Sequence, residues 1–595
     1  RPEQARADFD ASRQAYVRAA DIGRSDPSLH HALARLESAV VDMEVYNRRE
    51  VELPLERGLQ ALERTLTAAP DAYAYEARVL QARLFRRLAE FRAHQSKGKD
   101  VQEPVEKARE AAEAARKLAP ERPEAWMELA RSYWRLGRNL QARQEDPSEK
   151  LRDSLAALEH LAPKDHNYEF HLLRGLIFKT WSEYEELSGL DSLPRLDLAI
   201  ESYRKAIQLN EERPSAWLNL AYASLLHSTW GNSPDPAGDL EQARLALAKV
   251  RALNPHYILL SEYEANYHEQ LARWTRAQGG DARPHWEKAL ALYEQGLTLD
   301  GESESLLNGR GHVLVQLGQE AWDRGGDPFP WFARAEASYE KASRVAPERF
   351  LAHSNLGATN ARRAMYQLAR GENPTPSLLA SVEAYQRAIS RAQEHVNPRT
   401  YLGRSLQLLA AFELEQGRDP RKSLARASDA LHQALSRNAT SAEALAQLAQ
   451  VRSLEARWKA RQGQARSEDF EATAAAFQRA LHQDPKNQDL RLAFGRFHLG
   501  QAAWKKELGQ EPLASLEQGL ALARELLTER PLWADALLLR ASLELTRMEV
   551  AARPEPQVLD QARKDIDRAL ASNRNLEREA RQQLSRLRKL LARAR

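Results

Sequence analysis

Along the whole chain, apolar residues recur three and four positions apart in stretches of about five turns, and the stretches alternate with short polar segments. That spacing predicts amphipathic helices joined by tight turns. The helices end again and again in Leu-x-Pro or Leu-Asn, and the end signals fall at Pro27, Pro70, Pro120, Pro163, Glu211, Pro255, Gly301, Pro347, Pro398, Ala439, Pro485, Pro531 and Arg574. The intervals average about 46 residues, the mark of stacked helix-turn-helix units rather than several unrelated domains.

Within a unit the small and large residues hold a register. Ala335, Tyr339 and Ala342 precede Pro347, and the same order appears in Ala199, Tyr203 and Ala206, in Ala289, Tyr293 and Gly296, in Ala427, Leu431 and Ala434, and in Ala562, Ile566 and Ala569. After the signals stand Trp126, Leu129, Ala130 and Tyr133, then Trp217, Leu220, Ala221 and Ser224, with Leu356-Gly357 and Phe494-Gly495 in the same places. Small residues let two helix backbones approach, and the aromatic fills the gap beside them. Together these positions resemble the tetratricopeptide repeat, W-x2-L-G-x2-Y followed by A-x3-Y-x2-A-x4-P, over essentially the entire chain. The resemblance implies an all-α fold, a right-handed α-α superhelix of about twelve units, with the first helix of each unit lining the concave face.

An ordinary unit of that family has about 34 residues, so about 12 more must be housed here, between the two helices. The excess holds an aromatic at Tyr46, Trp230, Trp274, Tyr366, Trp458 or Trp504, often followed by a glycine, as at Gly279, Gly371, Gly463 and Gly509; Phe412 and Gly417 form a similar pair. First helices of about 20 residues that end at a left-handed glycine cap explain this. Polar loops such as Gly326-Asp327-Pro328, Gly371-Glu372-Asn373-Pro374 and Arg418-Asp419-Pro420 then open the second helix. The expected organisation is an N-terminal helix over residues 1–26, a repeat array over 27–574 and a C-terminal capping helix over 575–595. The first is a cap, or half of a repeat that continues upstream. The last carries a stripe of Leu576, Leu584, Leu587 and Leu591, and its Arg586, Arg588, Lys589, Arg593 and Arg595 offer a lesser alternative, an anionic partner.

Composition narrows the function. Of 595 residues 43% are apolar and 29% charged, enough for a core and too apolar for a disordered chain. Lys and Arg number 87 against 84 Asp and Glu, interspersed, for a net charge of +3, which is not a nucleic-acid binder's balance. The absence of cysteine excludes disulfides and thiolate metal sites and suits a cytoplasmic setting. No apolar run approaches the roughly 18 residues of a membrane span.

Searches for chemistry return residues that the repeat already explains. Gly309-Arg-Gly311 begins like a dinucleotide fingerprint but has Leu314 in place of the third glycine, and Gly98-Lys99 lacks the earlier glycine of a phosphate loop. Ser202-x-x-Lys205 and Ser338-x-x-Lys341 imitate a nucleophile motif, but their common register predicts surface positions of the repeat. His30-His31 has no accompanying HExxH or carboxylate cluster. No catalytic, cofactor-binding or metal-binding residue is expected. The long-helix variety is similar in composition to the C-terminal repeat regions of large serine/threonine protein kinases of myxobacteria and related bacteria, yet the chain holds neither an HRD nor a DFG triplet.

The family's concave positions map here onto Met127, Arg131, Trp134, Arg174, Phe178, Leu218, Tyr222, Asn308, His312 and Ser354. They make a mixed apolar and polar surface suited to an extended or helical peptide, unless some simply pack inside the superhelix. No unit pairs the Lys and Asn with which chaperone-binding members hold a C-terminal carboxylate. Most of the twelve tryptophans share the repeat's register, which marks them as packing residues. The expectation is a non-catalytic protein-interaction scaffold or regulatory region; the alternative is a small-molecule sensor that regulates an attached effector.

Overall fold

In the computed structural model, the described residues are 2–23, 26–47, 49–94, 101–143, 145–188, 190–229, 233–257, 259–393, 395–573 and 576–594. Gly98, Lys99, Trp230, Arg574 and Arg595 lie outside them. Among the described residues the secondary structure is helical throughout, from Pro2–Ile22 to Glu577–Ala594. The fold is all-α and tetratricopeptide-like: within each of its compact units helices pack on their neighbours in sequence, and first helices also touch the first helices of adjoining repeats.

The long first helices are present, for example Pro123–Ala142, Tyr168–Leu187, Val396–Glu415 and Ala442–Arg461, each of 20 residues. Their second-helix partners include Leu193–Leu209 and Arg421–Arg437, of 17 residues. Gly279, Gly371, Gly417, Gly463 and Gly509 all take positive φ, between 68° and 77°, and Gly325 joins them at 80°. The amide after each glycine bonds back to the last turn, as Gln464 N does to the Lys459 carbonyl at 2.9 Å and Gln510 N to that of Lys505 at 2.8 Å. This closure satisfies carbonyls that a helix end leaves open. Pro328, Pro374 and Pro420 stand at the N-caps of the next helices.

The small and large residues meet as their register requires. A Cβ on Gly175 would lie 2.4 Å from the Tyr203 ring, and one on Gly311 would lie 2.5 Å from that of Tyr339. Tyr203 and Tyr339 are buried. Trp126 and Trp217 clasp the preceding turn, their indole N–H donating to the carbonyls of Pro120 at 2.8 Å and Glu211 at 2.9 Å. Trp181, Trp286 and Trp504 are buried, whereas Trp274 is exposed.

The chain divides into two compact units, Arg1–Ala352 and His353–Arg595. In the first, helix Pro2–Ile22 lies on helix Pro27–Tyr46 through Arg13 and the fully buried Glu37. The same unit closes back on itself: Asn254 donates to the Tyr46 hydroxyl at 3.1 Å, and the Tyr46 and Tyr257 rings meet edge to face at 5.8 Å. In the second, Phe470, Phe477, Phe494, Phe497 and Trp504 form one aromatic core. Helix Glu577–Ala594 covers the end of that unit, burying Leu587 and Leu590 and pairing Arg586 with Glu549 at 2.8 Å. Leu591, expected in its apolar stripe, is 37% exposed; Leu590 takes its place.

Two further expectations are corrected. Ser202 and Ser338 are fully buried, not on the surface. Ser338 donates to the Leu307 carbonyl at 2.8 Å and accepts from Arg310 at 2.9 Å, while Ser202 accepts from Arg174 at 3.3 Å. Lys205 and Lys341 point instead to the exposed side of the same helices.

Candidate functional site

Four successive units of the first compact body place residues around one groove of about 720 Å³. Helix Pro27–Tyr46 contributes His31 and Arg35, helix Ala74–His94 contributes Tyr75, Glu76, Val79, Leu80 and Arg83, helix Pro123–Ala142 contributes Met127, Glu128 and Arg131, and the turn into helix Tyr168–Leu187 contributes Asn167 and Glu169. Val79, Leu80 and Met127 supply the apolar part.

The walls are fixed by a device that recurs from unit to unit. The Tyr75 hydroxyl accepts from the Ala125 amide at 3.1 Å, and the Tyr168 hydroxyl from the Ala216 amide at 3.0 Å. Arg122 lies 3.8 Å over the Tyr75 ring and pairs with Glu76 at 2.6 Å; Arg213 lies 4.2 Å over Tyr168 and pairs with Glu169 at 2.5 Å. Burial, with Glu124 beside it, pushes the Tyr75 phenol up to about 12, so it stays a neutral donor and acceptor.

Charge pairs run on between first helices. Glu128 receives Arg86 at 2.9 Å and Arg131 at 2.7 Å, and Arg131 also reaches Glu169 at 3.0 Å. Burial disfavours the Glu128 carboxylate, but Arg86 and Arg131 outweigh it and bring the group down to about 2. Burial and the nearby Arg35 lower the His31 imidazole, so it is neutral at pH 7. Arg35 itself is exposed and has no carboxylate partner among the described residues.

Of the expected concave residues, Met127 and Arg131 lie in this groove. Trp134 and Tyr222 lie outside it, on helices Pro123–Ala142 and Pro214–Thr229. The Trp134 indole donates to Thr180 at 3.1 Å, and the Tyr222 ring lies 5.1 Å from that of Tyr263. Arg174 stacks 5.1 Å over Phe178 while bonding Ser202. His312 lies elsewhere in the unit, 2.6 Å from Glu269, which also accepts from Tyr293 at 2.5 Å. Ser354 is half-buried near the start of helix Leu351–Arg370, in the second compact unit.

Phe178, Leu218 and Asn308 are corrections. Phe178 is 7% exposed against Leu196, Ala199 and Tyr203, and Leu218 is 3% exposed against Leu247 and Val250. Asn308 is 6% exposed and bonds Glu304. Phe178 and Leu218 sit where a first helix meets a neighbouring helix, and Asn308 is tied to the preceding turn of its own helix, so all three are buried and not on a surface.

Sequence reasoning passed over Arg35, Arg83, Arg135, Arg138 and Lys179. A signal existed for two of them: Arg131, Arg135 and Arg138 stand at i, i+4 and i+7 and therefore share one face of their helix.

No protein family and no curated protein sequence matches the chain. Among solved structures, the chain is similar to one in the APC/C hetero-tetramer Cut9-Hcn1, at 13% identity over 98% of this chain and 94% of that one, with a TM-score of 0.46. It is similar to human IFIT1, in a dimer with PPP-AAAA, at 13% identity over 86% and 94% of the two chains, with a TM-score of 0.37. TTC0263, a thermophilic tetratricopeptide protein of Thermus thermophilus, matches at 20% identity over 37% of this chain and 96% of its own, with a TM-score of 0.28. The helix pairs, glycine caps and small-to-aromatic contacts described above give the chain its tetratricopeptide-like fold.

Proposed function

We propose that the chain is a non-catalytic interaction scaffold that takes an extended segment of a partner protein on the concave face of its first compact unit. The observation that carries this reading is the convergence of first-helix side chains from successive units on one groove, where Val79, Leu80 and Met127 stand among charged and polar side chains. An extended segment can follow such a groove from unit to unit, filling the space beside Val79 and Met127 and exchanging hydrogen bonds with the polar side chains around them. The tyrosine and arginine staples hold the wall in advance, so little side-chain freedom is lost on binding. A cytoplasmic, kinase-attached regulatory setting extends the reading and rests on the composition of the sequence alone. The second reading, a small-molecule sensor, is favoured by the positive charge on the inner wall considered below.

The test compares protein capture by the intact chain, by a variant carrying Arg35→Glu and Met127→Gln, and by Lys205→Glu on the exposed side of a second helix. Partners lost only with the groove variant support the reading. Partners retained by it and lost with Lys205→Glu refute it.

A further inference from the structure

Beyond Arg131, the inner wall of the first unit carries buried positive charge that nearby carboxylates do not balance. The Arg135 side chain is 10% exposed, and its nearest carboxylate, Glu90 at 3.6 Å, also serves Arg87 at 2.8 Å and Arg86 at 3.9 Å. Its Nε is buried without a hydrogen-bond partner. Lys179, on the next first helix, is 5% exposed; its carboxylate, Glu183, stands 3.8 Å away and already accepts from Gln141 at 3.1 Å. Arg138 makes no ion pair among the described residues.

These groups feel one another. Burial pushes the Arg135 guanidinium down to about 10; Glu90 opposes this, and Arg138, Arg86 and Arg87 add to it. Burial lowers Lys179 as well, and Arg138 again adds to the effect. Burial raises the phenols of Tyr203, Tyr222 and Tyr263; Glu183 adds to this and Arg138 opposes it. The Tyr203 hydroxyl is buried without a partner, and Lys179 lies 5.1 Å over the Tyr222 ring. The Trp134 ring, 4.8 Å beneath the Arg135 guanidinium, answers part of that charge. The rest is unfavourable in a buried setting unless an anion completes it.

We infer that this wall binds a phosphoryl group, seated between Arg135, Arg138 and Lys179. Guanidinium forks and an ammonium match the oxygens of such a group, and a dianion balances the excess where a single carboxylate leaves part of it. Trp134, Arg138, Tyr222 and Tyr263 are half-buried, so solvent reaches the wall beside the buried Arg135 and Lys179. The inference rests on the concave face being the working surface, but not on the partner being a protein.

The experiment is calorimetric titration of the full chain with inorganic phosphate, against chloride and acetate at matched ionic strength, repeated with Arg138→Gln, Lys179→Met and the exposed-site control Lys205→Gln. The expected result is saturable phosphate binding that weakens at least tenfold in each of the first two variants and is unchanged in the third. No saturable signal above the chloride and acetate controls overturns the inference, as does equal affinity in all the chains. A phosphoserine peptide binding more tightly than phosphate assigns the group to a protein partner, and a nucleoside monophosphate doing so assigns it to a small molecule. Phosphate binding together with protein capture that Arg35→Glu and Met127→Gln do not alter sinks the groove reading alone; lost capture without phosphate binding sinks this one alone.

Discussion

Gly175→Ala tests the closest approach in the helix packing. Gly175 lies within helix Tyr168–Leu187, where replacing glycine by alanine favours folding by about 1 kcal/mol if the site is open. The site is closed: the added Cβ would stand 2.4, 2.7 and 2.9 Å from three atoms of the Tyr203 ring, well inside ordinary van der Waals contact. Tyr203 is 0% exposed, so the ring has nowhere to retreat without moving helix Leu193–Leu209. Overpacking of this kind costs about 1 to 3 kcal/mol, and a rigid ring places it near the upper end. The net expectation is a loss of about 2 kcal/mol. In a Tyr203→Ala background the clash is gone and the same alanine should stabilise by about 1 kcal/mol, a coupling of about 3 kcal/mol. Urea denaturation followed by far-ultraviolet circular dichroism, on the four chains of the cycle, reads both values. A Gly175→Ala chain at least as stable as the native one, with no reversal of sign in the Tyr203→Ala background, refutes the packing argument.

Gly417→Ala should cost about 1 to 2 kcal/mol through the backbone alone, because Gly417 has φ of +70° and open space around it; Gly417→Asn should recover most of the loss in the same urea assay. Trp217→Ala should cost about 2 kcal/mol by thermal melting, less than the roughly 3 to 5 of a fully buried tryptophan, because Trp217 is half-buried. Glu128 has its folded value depressed from 4.5 to about 2, so its contribution to stability is present above pH 4.5 and is lost as the pH falls towards 2. The stability advantage of the native chain over Glu128→Gln should therefore shrink by roughly 3 kcal/mol between pH 5 and pH 2, measured by urea midpoints at each pH.

The features that the sequence made legible are local ones. Glycine at the end of a first helix, alanine opposite an aromatic and proline at a turn each act within a few residues or between adjacent helices. That is why the caps at Gly371 and Gly463 and the Gly357–Tyr385 contact are found where the register puts them. Exposure on the concave face was only partly legible. Met127 and Leu218 hold the same position in their units, yet one lines a groove and the other is buried, because helices Pro236–Leu253 and Leu260–Ala277 close over Leu218. In the cap, likewise, Leu590 is buried and Leu591 is exposed, so the buried stripe runs one residue away from the expected one. The meeting of Tyr46 with Asn254 lies further from reach, since it sums the rotation of several units. So does the sharing of Glu90 among Arg86, Arg87 and Arg135, which depends on which side chains of neighbouring helices can extend to it.

The central claim is that the concave face of the first unit receives a partner. Its most direct measurement places a photo-crosslinking amino acid at position 127 in the groove and, in separate full-length chains, at position 205 on the exposed side of a second helix and at position 417 on the loop edge. The account predicts crosslinks to a partner protein from position 127 that a groove-directed Arg35→Glu change removes. Crosslinks from position 205 or 417 with none from position 127 contradict it.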